Sequence, residues 1–207
     1  MKTAFVRTPS IFKKVYRNLT WDVRDETVSL YLTFDDGPTA GITGELLAIL
    51  NRFDAKATFF CIGRNVERHP ELFQQILDAG HAVGNHTYSH LKGWFTKNKE
   101  YFDDIDLASQ LISSNLFRPA YGMITPSQAR FLQQRYRIVM WDVMSFDFDP
   151  GTGGVKCLDH VTQYARAGSI VVFHDSLKAS EKMLYALPRM LEYFGEKGFV
   201  FKAIGIK

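Results

Sequence analysis

The chain has 207 residues, 46% of them hydrophobic and 23% charged, which is ordinary usage for one globular domain and excludes a disordered tract. Its 25 Lys and Arg against 22 Asp and Glu leave a net charge of +3, with no run of like charges to mark a nucleic-acid or membrane surface. Two cysteines make neither a disulfide framework nor a Cys-based structural zinc site, and no apolar run nears the roughly 20 residues that span a bilayer.

Residues 1–27 read as an N-terminal arm. Arg7, Lys13, Lys14 and Arg17 interrupt the apolar core of about 7–15 residues that a secretory signal requires. The chain is therefore expected to be cytoplasmic, with cell-envelope association as the alternative. Ile11 to Tyr16 has the pattern of a short amphipathic turn, either packed on the outside of the domain or touching a membrane. From Val28 onward, β-branched or aromatic runs alternate with helix-period segments. Strands are predicted at Val28–Phe34, Ala57–Ile62, His81–Gly84, Leu116–Pro119, Arg137–Asp142, Ser169–His174 and Phe199–Ile204. Helices are predicted around Thr43–Arg52, Pro70–Asp78, Glu100–Ser113, Pro126–Arg135, Val155–Ala165 and Ser180–Glu196. Pro70 stands where a first helical turn tolerates it. Gly80, Gly168 and Gly198 stand where a helix stops before a strand begins. Seven alternating strands predict an α/β fold, parallel strands with helices outside, closed or nearly closed into a distorted (β/α) barrel.

In such barrels the reactive groups gather at the C-terminal ends of the strands. Here those ends carry Asp35-Asp36-Gly37-Pro38, Asn85-His86-Thr87-Tyr88-Ser89-His90, Arg118-Pro119-Ala120-Tyr121-Gly122, Ser145-Phe146-Asp147-Phe148-Asp149 and His174-Asp175. Side chains of adjacent strand residues point to opposite faces, so Asp35 and Asp36 suit two jobs, one on a metal and one free as a base. The alternative is a solvated Asp-Gly turn. His86 and His90 have the spacing that puts two imidazoles on one face of a helical turn, where they can share a cation. Two histidines and one carboxylate leave positions open, as a hydrolytic metal needs. His174 closes an apolar strand. It is either a core histidine bonded to backbone or a general acid that Asp147 orients and keeps protonated. Arg118 either clamps Asp35 as an ionised base or makes an interior salt bridge. Tyr121 offers a backbone N–H to an oxyanion, or an aromatic wall. Cys61 and Cys157 read as buried, small apolar residues.

These five segments, in order from about Val28 to Ile204, resemble the motifs of the polysaccharide deacetylases, the NodB-homology family of carbohydrate esterases. Thr33 to Pro38 resembles the first motif and His86 to His90 the second. Arg118 to Gly122 resembles the third, Trp141 to Phe148 the fourth, and Val172 to His174 the fifth. The resemblance implies a catalytic domain over residues 28–207 that hydrolyses acetyl groups, N-linked first, on an acetylated glycan. It implies Asp35 as base, and Asp36, His86 and His90 as ligands of one divalent metal. Zinc is expected there, with cobalt, nickel or manganese also accepted. Arg118 would hold the base, Tyr121 would donate its N–H to the oxyanion, and Asp147 would orient His174 as the acid. Val172 would help wall the pocket for the acetyl methyl. Ala120 departs from the family's second proline, Met144 from a frequent acid and Phe148 from a frequent tryptophan. The rival functions are hydrolysis of a small non-glycan amide and glycan binding without turnover. Chitin oligomers, peptidoglycan and exopolysaccharide all remain open as the glycan.

Overall fold

The computed structural model describes residues 5–24 and 26–205. Among the described residues, eight strands form one parallel sheet. They are β1 (Ser29–Asp36), β2 (Thr58–Cys61), β3 (Ala82–Asn85), β4 (Leu116–Phe117), β5 (Arg137–Ile138), β6 (Val143–Met144), β7 (Ile170–His174) and β8 (Val200–Lys202). Their spatial order is β5-β4-β3-β2-β1-β7-β6, with β8 beside the start of β1. The sheet curls 207° round an axis, giving the expected distorted barrel, open between β5 and β6. The helices are α1 (Ser10–Val15), α2 (Thr43–Arg52), α3 (Gly63–Arg68), α4 (Pro70–Asp78), α5 (Asn98–Ser109), α6 (Pro126–Leu132), α7 (Gly154–Tyr164) and α8 (Ser180–Gly195). No helix among the described residues is long and apolar enough to cross a membrane.

Strand alternation sorts the core into layers. Leu30, Leu32 and Phe34 of β1 face outward and pack with Leu46, Leu50, Phe173, Leu187 and Met190. Each such fully buried side chain contributes about 1.5–3 kcal/mol relative to exposure. Tyr31 faces inward, against Phe60, Leu116, Val139, Ile170 and Ile204. Thr33 and Asp35 share that inward face by the period of two, which points polar groups at the upper barrel interior.

Of the fifth predicted strand, Arg137–Asp142, only Arg137–Ile138 forms as β5, and Val143–Met144, just beyond its predicted end, is a separate strand, β6. β5 pairs with β4, residues 139–142 cross the opening, and β6 pairs with β7. The crossing stretch bonds to other partners. Met140 N–H donates to the Thr20 carbonyl, and the Val139 and Met140 carbonyls accept from Arg118. The described part of the N-terminal arm lies along this opening: Thr20 bridges Val139, Arg7 bridges Val143 and Asp22 bridges Ser169. Leu19 of the arm is buried with Phe117, Ile138 and Met140. The amphipathic turn forms as α1 but buries no side chain. Its Lys13 reaches Asp22 and Asp142, each at 2.7 Å, while Ile11, Phe12 and Val15 are exposed.

Candidate active site

β1 ends at Asp36, whose φ is 82°. Alternation stops at that left-handed residue, so the two carboxylates do not diverge as a regular strand would have them. Asp35 Oδ2 lies 4.0 Å and Asp36 Oδ1 3.8 Å from the same atom, His86 Nε2. Gly37 follows because a side chain there would overlap the Asp175 carboxylate.

His86 and His90 meet in a loop, not on a helical turn. Asn85 Oδ1 accepts the Thr87 N–H at 2.8 Å. Asp104 Oδ2, on α5, accepts the N–H groups of Tyr88 and Ser89 at 2.8 and 3.0 Å. Side-chain oxygens thus take backbone donors that a helix would bond internally. Thr87 and His90 adopt φ of 66° and 60°, and the two imidazole centroids stand 5.1 Å apart.

Asp36, His86 and His90 each offer one donor atom, all within 4.8 Å of one another. His90 Nε2 is 3.3 Å from Asp36 Oδ1. Donors about 2.0–2.2 Å from a tetrahedral cation stand roughly 3.3–3.6 Å apart, so the three fit a divalent ion after small side-chain shifts. The His86 Nδ1–H donates to the Arg118 carbonyl at 2.8 Å, which leaves the Nε2 lone pair for the cation. Burial and the adjacent His86 push His90 down to about 4, so it is neutral at pH 7, as a ligand must be. The parent protein is expected to purify with a divalent cation on these donors, and His86→Ala/His90→Ala without it. Elemental analysis of both proteins checks this, and equal metal in the two would remove the site.

Arg118 leaves the end of β4 and is wholly buried. One Nη1 donates to Asp35 Oδ1 at 2.7 Å and to Thr33 Oγ1 at 2.8 Å. Its Nε and other Nη reach the Val139 and Met140 carbonyls at 3.1 and 2.8 Å. The guanidinium fork is therefore shared between β1 and the crossing segment, with a single bond to Asp35. Burial alone would raise the Asp35 pKa; the charges of Arg118, His86 and His174 and the Arg118 bond outweigh it and hold the carboxyl below the usual range.

The register of β1 on β7 sets Asp35 beside His174. His174 Nδ1 bonds to Asp147 Oδ1 at 2.7 Å, and its backbone N–H donates to Asp147 Oδ2, also at 2.7 Å. Its side-chain partner is a carboxylate rather than backbone. Burial would lower the imidazole pKa, but the charge and bond of Asp147 raise it to about 9. Phe148 sets its ring edge-on to His174 at 4.9 Å. Val172 lies two residues earlier on the same inward face and is fully buried between Thr33 and Met144. Tyr121, in a left-handed turn at φ 58°, holds its ring 4.6 Å from that of His90. Every site residue expected from the sequence lies at this one end of the barrel.

The sequence did not mark three supporting groups. Thr33 shares Arg118 with Asp35. Asp104 shapes the histidine loop and carries no local signal. Asp175 is buried, accepts from Thr43 Oγ1 at 2.7 Å and is pushed up to about 7 by that burial. Its other oxygen has no partner among the described residues, and its only signal was adjacency to His174. A cavity of about 630 Å³ lined by Ala82, Leu116, Tyr136 and Ile204 opens at the N-terminal ends of β3 and β4 and touches none of these groups.

A model of the polysaccharide deacetylase family matches residues 22–137. A peptidoglycan-N-acetylglucosamine deacetylase of Bacillus cereus is 31% identical over 193 residues, covering 90% of this chain and 91% of that one. A chitooligosaccharide deacetylase of Rhizobium leguminosarum bv. trifolii is 32% identical over 161 residues, 74% of each chain. The solved structure of a peptidoglycan N-acetylglucosamine deacetylase with a naphthyl N-hydroxybenzamide superposes with a TM-score of 0.86, at 29% identity over 95% of both chains.

Proposed function

This chain belongs to the polysaccharide deacetylase family, and from that premise we propose that it is a metal-dependent hydrolase removing N-acetyl groups from a glycan. One observation carries the reading: a three-donor cluster adjoins a carboxylate held ionised, and that carboxylate is paired across neighbouring strands with an imidazole held protonated. A base and an acid with environments that push their pKa values apart, beside a cation site, are what amide hydrolysis requires.

Asp36, His86 and His90 would hold the cation, whose Lewis acidity acidifies water and polarises the acetyl carbonyl. Zinc suits one carboxylate and two imidazoles with open positions, and we assign it ahead of cobalt, nickel and manganese. Asp35 takes the proton of the attacking water, and Arg118 keeps it ionised for that step. The Tyr121 N–H donates to the oxyanion. His174, kept charged by Asp147, delivers a proton to the leaving nitrogen. Val172 underlies the place for the acetyl methyl. Residues 28–207 form the catalytic domain in this reading, with residues 1–27 as its arm.

The test is acetate release from acetylated chito-oligosaccharides, with and without chelator. Release that chelator abolishes and added zinc restores is expected. Binding without release would make the chain a non-catalytic glycan binder. Release from small amides alone would exclude the glycan.

A further inference from the structure

The net charge of the chain is confined to its arm. Residues 28–207 hold 19 basic and 19 acidic side chains, whereas the first 21 residues hold five Lys and Arg and no acid. The arm also carries exposed apolar side chains. Ile11 and Val15, four apart on α1, share one face and Phe12 flanks them. Phe5 sets its ring 6.4 Å from that of Phe12. Phe5 is 51%, Ile11 60%, Phe12 45% and Val15 65% exposed. Lys14 on α1 and Arg17 just after it are exposed as well, and neither pairs with a carboxylate among the described residues. This face is held from behind. Lys13 reaches buried Asp142 at 2.7 Å, and Arg7 Nε donates to the same carboxylate oxygen at 3.2 Å. Ser169 Oγ donates to the other oxygen at 2.6 Å. The Trp21 indole donates to the Tyr16 carbonyl at 3.0 Å, and Leu19 is buried. The apolar face is thus fixed outward, and little ordering is left for binding to impose.

A cavity of about 330 Å³ continues the cationic surface, lined by Arg7, Arg24 and Arg166 with Asp22 and Asp142. Gly168 and Ser169, also in its wall, precede β7, and His174 ends that strand. The cavity therefore opens at the end of the barrel away from the catalytic residues. No run of like charges marks this surface in the sequence; the fold brings Arg166 to the arm. We propose that Phe5, Ile11, Phe12 and Val15, among Lys14 and Arg17, dock the protein peripherally on an anionic lipid bilayer and leave the catalytic end of the barrel free. A bilayer interface takes apolar side chains into its acyl boundary and cations at its phosphates, without a matching shape. Each basic residue near an anionic leaflet is worth about fivefold in binding, and each buried CH₂ about fourfold. A nucleic acid would leave the four apolar side chains in water. A second copy of the chain would set like charges against each other.

The test is sedimentation of the full chain with lipid vesicles. Vesicles of phosphatidylcholine with about one-third phosphatidylglycerol are expected to carry the protein down, and pure phosphatidylcholine is not. Salt near about 0.5 M should release it. Ile11→Ser/Phe12→Ser and Lys14→Glu/Arg17→Glu should each weaken binding by more than about tenfold. All four side chains are exposed, so the thermal midpoints and acetate release from soluble oligosaccharides should match the parent. Phe12→Trp adds a reporter whose emission should shift to the blue on vesicles and be quenched by brominated acyl chains. Absence of binding to the phosphatidylglycerol vesicles, equal binding by Ile11→Ser/Phe12→Ser, or a Phe12→Trp emission that vesicles leave unchanged would overturn the docking. So would a dimer in sedimentation velocity that Ile11→Ser/Phe12→Ser dissolves, which would assign the face to a second copy. Vesicle binding is read without substrate, so its outcome is separate from that of the hydrolase reading.

Discussion

Asp35→Asn is expected to retain the cation and to lose about 10²–10⁴-fold in rate, the usual worth of a general base. Asparagine is nearly isosteric and keeps an acceptor for the Arg118 bond of 2.7 Å, but it cannot take a proton from water. Asp35 lies outside the three-donor cluster, so metal content should hold. Folding stability should fall, because Arg118 is wholly buried and loses its counter-charge; breaking a buried pair costs about 3–5 kcal/mol, and the retained neutral acceptor limits this. Rate, bound metal and thermal midpoint measured together separate the roles. A variant within a few-fold of the parent rate would remove Asp35 as base. The sign of the pH dependence follows from the depressed Asp35 pKa. The stabilisation from this pair is present above about pH 4 and is lost as pH falls through the lower folded value.

The second large effect is at His174. An amide nitrogen leaves poorly unless protonated, whereas an activated aryl oxygen needs little help. His174→Ala should therefore slow N-deacetylation by about 10²–10⁴-fold and slow hydrolysis of an aryl acetate far less. Equal losses on both substrates would exclude it as the acid. The pH arm uses Asp147→Asn. Asp147 raises the His174 pKa to about 9, so the acid form survives up to that region and the rate falls above it. With Asn at 147 the pKa drops, and the alkaline limb of the amide profile should move to lower pH. A limb that does not move would separate Asp147 from the proton transfer. Stability carries the same sign: the contribution of the charged pair is full below about pH 6.5 and is lost as pH rises through the raised value.

In the fourth motif the departure Phe148 and its neighbour Phe146 shape the surroundings of the acid pair without removing a reactive group. Phe148 packs edge-on against His174, and Phe146 takes φ of 61°, a backbone state that bulky residues rarely adopt. Such a state persists only where the surrounding structure enforces it. Among the described residues, five of the six non-glycine residues at positive φ are Asp36, Thr87, His90, Tyr121 and Phe146, and all five flank this site.

That clustering explains what could be learned from the chain alone. Helices α2 and α4 begin and end where predicted, because apolar period, Pro70 and Gly80 are local signals. The chemistry was also legible, since reactive residue types at five strand ends need only the β-α alternation to be placed on one rim. The histidine pair and the pairing of Asp147 with His174 follow from types and order, whereas the choice of Asp36 over Asp35 as the metal ligand comes from the resemblance to the family's first motif. What the tertiary structure decided is how those groups face one another. The His86–His90 loop obeys acceptors on β3 and α5 rather than helical period. Asp35 and Asp36 converge because Asp36 leaves the strand conformation. Residues 137–144 divide into two strands because Arg118 and the N-terminal arm, distant in sequence, take the hydrogen bonds of the crossing segment. Local propensity reports the cost of a conformation within a few residues. A left-handed aspartate or a buried arginine reaching across the barrel is stabilised by partners as many as 85 residues away, and only the folded chain brings those partners within reach.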